Sequence, residues 1–571
     1  MDHVEFSANL KRQLEIKTEA LKVTPMMKGK RLTDKGVRFP GFRQRVLDYQ
    51  KGQQLEKGAL PLPIDIVMHE SVPMVLPDGI KLYSDIYLPG RFQDLSSEPA
   101  KSVPALVAWS PYGKQKGTTL LDDFPMRAGV PKNWLSSLEK WEGPDPAFWC
   151  SNEYAVVNVD TRGAFTSEGD CYMFGHQEAE DGANFITWLS EQPWCNGRVA
   201  LTGNSWLAMT QWKIGSLRPK GLAAIAPWEG GIDPIGAGNF NGGIPFHGFH
   251  KDVTNQFVTQ GAIEDMVAYL HQNQVRDVYW EDKRAHPEWI NVPTYVVASW
   301  TNAVHTPGTF KGFSLLHPTV PKWLRVHNKM EWPDYYDDNS QRDLKRFFDY
   351  YLHGVENGWT STPTVRLSVL HMGLKDRVDT INRPESEFPL ERTKYTKYFL
   401  HTDKTLSMDP YTAGEVSYNA VSGEKCIFTM QMPSSCETTG YFMAHLVMSS
   451  ATNHHELDVF VQVENLNSKK RRQGTMCLNP QGVVPKTVLK LVHDWQIGLG
   501  TVGMAFHWGP DGQLRASHAL GREENSRPAE PEYMLKEKKP LTKGEVQALD
   551  IPMRPYGMFW EVSFTKHLLL H

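Results

Sequence analysis

At 571 residues the chain is too long for a single hydrophobic core, and its length implies about two to four domains. A 40% hydrophobic and 22% charged composition is that of an ordinary globular protein and excludes a disordered chain. With 61 basic against 65 acidic side chains the net charge is -4, so no global field recruits nucleic acid or an anionic membrane, and a small-molecule substrate is expected.

Met1 to Lys30 is charged throughout and lacks the apolar core of a secretory signal, and no stretch reaches the ~18 apolar residues of a membrane span, so a cytoplasmic location is expected. Six cysteines without CxxC spacing suggest neither a zinc site nor a disulfide scaffold. Residues 1–64, helical in pattern and then broken by Gly and Pro, form an N-terminal arm over the main body. From Val72 two strands flank the tight-turn sequence Pro77-Asp78-Gly79. Short apolar runs follow at 105–109, 154–159, 199–202, 222–225 and 295–298, without the alternation of a half-exposed sheet. They read as strands buried on both faces, and with the helical pattern from Glu178 to Gln192 between them they predict a doubly wound α/β domain.

That domain is expected over 65–231 and again over 291–390, interrupted by a helical cap at 232–290. Over 391–571 the helical signal fades into short strands and turn clusters, predicting a C-terminal, jelly-roll-like β-sandwich. Within it the basic run Lys469-Lys470-Arg471-Arg472, after Asn465-Leu466-Asn467, reads as a solvated hairpin tip. Gly521 to Pro540, charged and Pro-bearing, reads as a long surface loop.

The chemistry is concentrated after the run Val199 to Thr202, in Gly203-Asn204-Ser205-Trp206-Leu207. A serine in a strand-to-helix turn sits on strained backbone with its oxygen above the sheet, and a glycine two residues earlier allows the close packing this requires. Leu207 replaces the final glycine of the usual G-x-S-x-G pattern.

From Tyr154 to Trp212 the chain resembles the cocaine-esterase and X-Pro dipeptidyl-peptidase (CocE/NonD) family of α/β-hydrolases. The resemblance rests on Asn158-Val159-Asp160-Thr161-Arg162-Gly163, Ser167-Glu168-Gly169, Gln192-Pro193-Trp194-Cys195-Asn196-Gly197-Arg198 and the serine segment itself. It extends to Ser110-Pro111-Tyr112-Gly113 and, more weakly, over roughly 65–555. It implies an α/β-hydrolase fold acting on esters, amides or thioesters through Ser205. The oxyanion would be held by the backbone N–H of Trp206 and the hydroxyl of Tyr112.

Two positions break the pattern. Where the family carries its acid, in a Gly-Trp-x-Asp motif, this chain has Ser299-Trp300-Thr301-Asn302. Where the family carries its base, an ungapped match of His327-Asn328-Lys329-Met330-Glu331 places Glu331. An amide neither balances an imidazolium nor orients it strongly, and a carboxylate is a poor base for an unactivated hydroxyl. Three readings stand side by side: hydrolysis or acyl transfer with His327 or His305 as a displaced base, non-hydrolytic isomerisation, elimination or cyclisation through Tyr112, Ser205 and Glu331, and a binding protein with a dead site.

Trp206, Trp228, Phe246, Trp300 and Trp332, with His247 and His250 at the entry to the cap, are candidate substrate contacts for an apolar body bearing one carbonyl. His454-His455-Glu456 and the His247-x-x-His250 pair lack a second ligand cluster, so neither metal nor cofactor is expected. The segment Phe559 to His571 stops where the family adds further strands, which predicts an exposed sheet edge, either paired in a homodimer or covered by the N-terminal arm.

Overall fold

The structure is a computed structural model and describes residues 3–96, 101–115, 117–236, 241–371, 379–411, 413–467, 469–477, 506–561 and 565–570. Eleven strands form the central sheet: β1 (Arg45–Tyr49), β2 (Ile66–Val75), β3 (Lys81–Pro89), β4 (Val103–Ser110), β5 (Ala155–Asp160), β6 (Cys195–Asn204), β7 (Leu222–Trp228), β8 (Thr294–Ser299), β9 (Lys322–His327), β10 (Val365–His371) and β11 (Thr380–Glu385). Their order is 1-2-3-5-4-6-7-8-9-10-11. Pairing is antiparallel at both ends and parallel from β5 through β10. Every residue of β4, β5 and β8 is buried, as unbroken apolar runs in a sheet covered on both faces require.

The helices include, in chain order, α1 (His3–Val23), α2 (His176–Ser190), α3 (Trp206–Ser216), α4 (His247–Thr254), α5 (Met266–Gln272), α6 (Val278–Lys283), α7 (Thr306–Leu315) and α8 (Glu331–Tyr335). Helices α4 to α6 fall in the interruption between β7 and β8. The arm helix α1 is tied to the body through Lys17 to Glu180 (2.5 Å) and Gln13 to His286 (2.9 Å), with Arg218 over the Phe6 ring at 4.1 Å. Among the described residues no helix is long and apolar enough to cross a membrane.

The C-terminal sandwich comprises β12 (Cys426–Gln431), β13 (Cys436–Met448), β14 (Asp458–Leu466), β15 (Asp511–Arg515), β16 (Gln547–Trp560) and β17 (Thr565–Leu570). The open C-terminal edge expected from the sequence is absent. Strand β17 is inserted between β12 and β14 and pairs antiparallel with both, so its backbone groups are satisfied on either side. Residues 562–564 and 571 of that segment lie outside the described residues. The basic run stands at the tip of the hairpin leaving β14, where the Asn467 N–H bonds the Arg471 carbonyl at 3.0 Å.

Residues 521–540 do more than cover the surface. With the cap segment, α7 and the sandwich they enclose a cavity of about 440 Å³, lined among others by Phe246, Val304, Pro307, Tyr533, Leu535 and Met553.

Trp300 joins the two large units. It is fully buried, with its ring centroid 5.2 Å from Phe310, 5.9 Å from Phe388 and 6.4 Å from Tyr556 of β16, and its indole donates to the Ser368 carbonyl. A Cβ on Gly557 would come within 2.8 Å of the same ring. Trp300 is thus a packing residue rather than the pocket residue expected. Trp300→Ala should destabilise the protein by ~3–5 kcal/mol, seen as a lower thermal midpoint. A midpoint within error of wild type would contradict this role.

Candidate active site

Ser205 stands between the last residue of β6 and the first of α3, with φ 56° and ψ −118°. Backbone this strained costs about 1–3 kcal/mol and persists only where its surroundings hold it. Here they do. The Ser205 N–H lies 3.1 Å from the Glu229 carbonyl, and Gly203 has φ +126° with a Cβ position only 2.5 Å from Leu207 Cδ2. Leu207 therefore fills the space under the turn that a glycine leaves open in the usual pattern. The turn also leaves the N–H of Trp206, first residue of α3, among the four donors without an intrahelical acceptor.

His305 supplies the imidazole. It caps the N-terminus of α7, is buried, and places Nε2 3.0 Å from Ser205 Oγ. Burial pushes its pKa down to about 3, so the ring is neutral at physiological pH with a lone pair facing the serine hydroxyl, while the same burial weakens it as a base.

The other candidate, His327 at the end of β9, is engaged elsewhere. Its Nδ1 accepts the Lys329 N–H at 3.2 Å, which leaves the ring proton on Nε2, and Nε2 faces Glu229 Oε1 at 2.6 Å. This tautomer has no lone pair left for a serine. Asp334 lies 3.7 Å from the same nitrogen and is held by Arg325. His327 is a structural member of a buried ion network rather than the base.

Asn302 and Glu331, at the positions where the resemblance placed acid and base, bond to each other. Asn302 Nδ2 donates to Glu331 Oε2 and, at 2.8 Å, to Glu229 Oε2. Its Oδ1 accepts the N–H groups of Val304 (3.0 Å) and His305 (3.1 Å). An acid–imidazole pair has become an amide–carboxyl pair with the donor on the opposite partner. Glu331, buried on α8, is pushed well above the usual carboxylate range by desolvation and then by the carboxylates of Glu229 and Glu142. Among the described residues its hydrogen bond goes to Asn302, while the serine takes its imidazole from His305.

Tyr112 completes the centre. Its hydroxyl lies close to Ser205 and Glu142, and its ring meets Trp206 edge-on at 6.2 Å. The Tyr112 hydroxyl and the Trp206 N–H are two donors next to the serine.

The remaining predicted contacts separate. The Trp206 side chain is buried, donating to Glu178 Oε1 at 2.9 Å and packing on Phe174 and the Tyr112 ring, so it supports the site without lining the cavity. Trp228 is buried against Tyr335 and the Arg325 guanidinium, a core position. Trp332 is buried too and donates to Glu142 Oε1 at 3.1 Å, supporting the site from behind. His247 stacks on His271 at 4.1 Å, and His250 is buried beside Phe249; neither lines the cavity. Phe246, 42% exposed, does line it. The cavity reaches Ala303, Val304 and Pro307, on either side of His305, although Ser205 is not in its wall. Among the described residues no group of three or more His, Cys, Asp or Glu side chains is placed to hold a metal ion.

Two acids that carry the site were not singled out from the sequence. Glu229 follows β7 directly and precedes Gly230-Gly231, and an acid at the carboxyl end of a buried parallel strand marks where ligands bind in such sheets. Glu142 lies in an irregular loop whose sequence carries no comparable signal.

A strained serine at a strand-to-helix turn of a mixed sheet, a neutral imidazole on its oxygen and two convergent donors define the serine-hydrolase type of α/β-hydrolase. Residues 78–265 match the family model for X-Pro dipeptidyl-peptidase (S15 family), and residues 357–558 match that for the X-Pro dipeptidyl-peptidase C-terminal non-catalytic domain. A CocE/NonD family hydrolase from Staphylococcus aureus superposes with a TM-score of 0.77 at 26% identity, covering 89% of this chain and 86% of that one. The two matched segments and this superposition together support the CocE/NonD resemblance over most of the chain. The cocaine esterase of Rhodococcus sp. (strain MB1 Bresler) is 33% identical over 157 residues, which is 28% of this chain but only 22% of that protein's length. An α-amino acid ester hydrolase shares the fold, with a TM-score of 0.62 at 16% identity. Asn302, His305 and Glu331 all fall between the two segments matched by the family models.

The inverted pair makes a counterintuitive prediction. Asn302→Asp, which restores the residue type of the family pattern, should destabilise the protein by ~3–5 kcal/mol, because it removes the N–H donor shared by Glu229 and Glu331 and sets a buried carboxylate against Glu229. Adding Glu331→His should recover part of that loss. Thermal melts of both variants check this, and a neutral or stabilising Asn302→Asp would refute the bridging role.

Proposed function

We propose that the protein hydrolyses or transfers the acyl group of an ester, amide or thioester of a carbonyl-bearing small molecule, with Ser205 as nucleophile and His305 as base. The observation that carries this reading is the 3.0 Å contact from His305 Nε2 to Ser205 Oγ. As the Ser205 oxygen attacks the carbonyl carbon, His305 takes its proton, and the negative charge passes to the carbonyl oxygen beside Tyr112 and the Trp206 N–H. Collapse expels the leaving group, which takes the proton from His305. Water or an acceptor alcohol, amine or thiol, deprotonated by His305, then releases the acyl group and restores the serine. No carboxylate is among the causes that shift His305, so its imidazolium lacks the balancing charge of a full triad. Loss of that partner lowered turnover by about 10⁴ in a serine protease, and the balance favours acyl groups with good leaving groups, such as thioesters and aryl esters. The cavity beside Val304 suits an apolar substrate body.

A second reading rests on Glu331, whose carboxyl is pushed well above the usual carboxylate range by desolvation and then by Glu229 and Glu142, which suits it to donate a proton in a non-hydrolytic reaction.

Rates with p-nitrophenyl esters and acyl thioesters separate the two. Ser205→Ala and His305→Ala should each lose about 10³-fold or more in kcat, as members of one relay fail together. His327→Gln and Glu331→Gln should lose far less once corrected for the folded fraction. Because His305 is neutral above about pH 3, kcat/KM should show no acid limb near the ordinary histidine value of about 6.5. Full activity in Ser205→Ala with a dead Glu331→Gln would establish the non-hydrolytic reading instead.

A further inference from the structure

Glu142 is a buried acid that the proposed reaction leaves unused, yet it touches the elbow from two directions. Its carbonyl accepts the Asn204 N–H at 3.2 Å, one residue before the nucleophile, and its own φ is +63°, backbone strain that a non-glycine residue seldom carries. Its side chain is buried and receives the Trp332 indole N–H on Oε1 at 3.1 Å, while its Oε2 is buried without a hydrogen-bond partner among the described residues and the carboxyl faces the hydroxyl of Tyr112. Tyr112 in turn adjoins Ser205, which His305 contacts from the other direction.

A phenol has one proton to give. If Glu142 is ionised it can only accept, and the Tyr112 proton is drawn toward it and away from the substrate oxygen. A protonated Glu142 can donate to the Tyr112 oxygen and leave the phenolic proton free to face a developing oxyanion. The surroundings decide between these states. Besides the indoles of Trp332 and Trp141, the groups facing Glu142 are the carboxyls of Glu229 and Glu331 and the phenols of Tyr112 and Tyr336, with no cation among these described neighbours.

Resting on the hydrolytic reading of Ser205, we propose that Glu142 is a positioning residue that, as a neutral carboxylic acid, turns the Tyr112 hydroxyl proton toward the reacting oxygen. It touches neither substrate nor nucleophile and acts through Tyr112 alone. Desolvation, ahead of every other influence, pushes its pKa up to about 8. The neutral form therefore prevails below that pH, and its effect is lost as pH rises through about 8.

The test is the pH dependence of p-nitrophenyl ester hydrolysis between pH 6 and 10, with fluorophosphonate labelling of the same preparations. In the wild type kcat/KM should fall above about pH 8. Glu142→Gln, whose amide donates at every pH but more weakly than a carboxylic acid, should lower kcat modestly with KM unchanged and abolish this alkaline limb. The drop should be smaller than the ~10²-fold expected from Tyr112→Phe, which removes the phenolic donor itself. Trp332→Phe removes a donor that favours ionised Glu142, so the limb should move to higher pH, and this variant carries the test if Glu142→Gln does not fold. An alkaline limb unchanged in both variants, in a protein whose serine is labelled, would overturn the role of Glu142 alone. Failure of wild-type labelling and hydrolysis would overturn the hydrolytic reading and this role with it.

Discussion

The carboxamide of Asn302 uses its two ends for different work. Oδ1 gathers the N–H groups of Val304 and His305, shaping the turn that delivers the His305 ring to Ser205, and Nδ2 is shared between the carboxyls of Glu229 and Glu331. An aspartate can do the first but not the second, since it has no proton to give at neutral pH. Once Asn302 occupies this position, a glutamate opposite it is satisfied where a histidine would compete for the same donor. The imidazole then reaches the serine from three residues further along the same turn.

Burial carries the remaining electrostatics. Glu142 and Glu331 are buried, and desolvation first, then their acidic neighbours, pushes both carboxyls up, while the indole of Trp332 and the amide of Asn302 supply neutral donors rather than counter-charges. The cationic partner in the region, Arg325, is committed to Asp334 on the far side of His327. The centre is accordingly built from neutral imidazole, phenol and carboxylic acid groups. That environment suits a reaction whose charge appears only in the transition state, on an oxygen facing preorganised donors.

The scaffold was readable because its signals are local. Unbroken apolar runs marked the buried strands, Pro77-Asp78-Gly79 marked the hairpin, and glycine before serine after such a run marked the elbow. The site was readable in part. Ser205, Tyr112 and the loss of a normal acid at Asn302 follow from pattern, whereas the choice of His305 over His327 depends on a turn set by side-chain hydrogen bonds that no spacing rule encodes. The aromatic residues misled for a related reason: Trp228 and Trp300 adjoin site positions in sequence, but residues at the end of a buried strand alternate between the pocket and the core. Glu142 was invisible because a loop position gives no periodicity to read. The C-terminal edge failed because β17 pairs between two strands distant in sequence.

The central claim is that His305 activates Ser205. Fluorophosphonate labelling followed by peptide mapping tests it most directly, since the adduct forms only on a serine whose proton has an acceptor. The account predicts a single adduct on Ser205 in the wild type, a labelling rate that persists well below pH 6.5, and loss of the adduct in His305→Ala but not in His327→Gln or Glu331→Gln. Undiminished labelling in His305→Ala, or none in the folded wild-type protein, would contradict it.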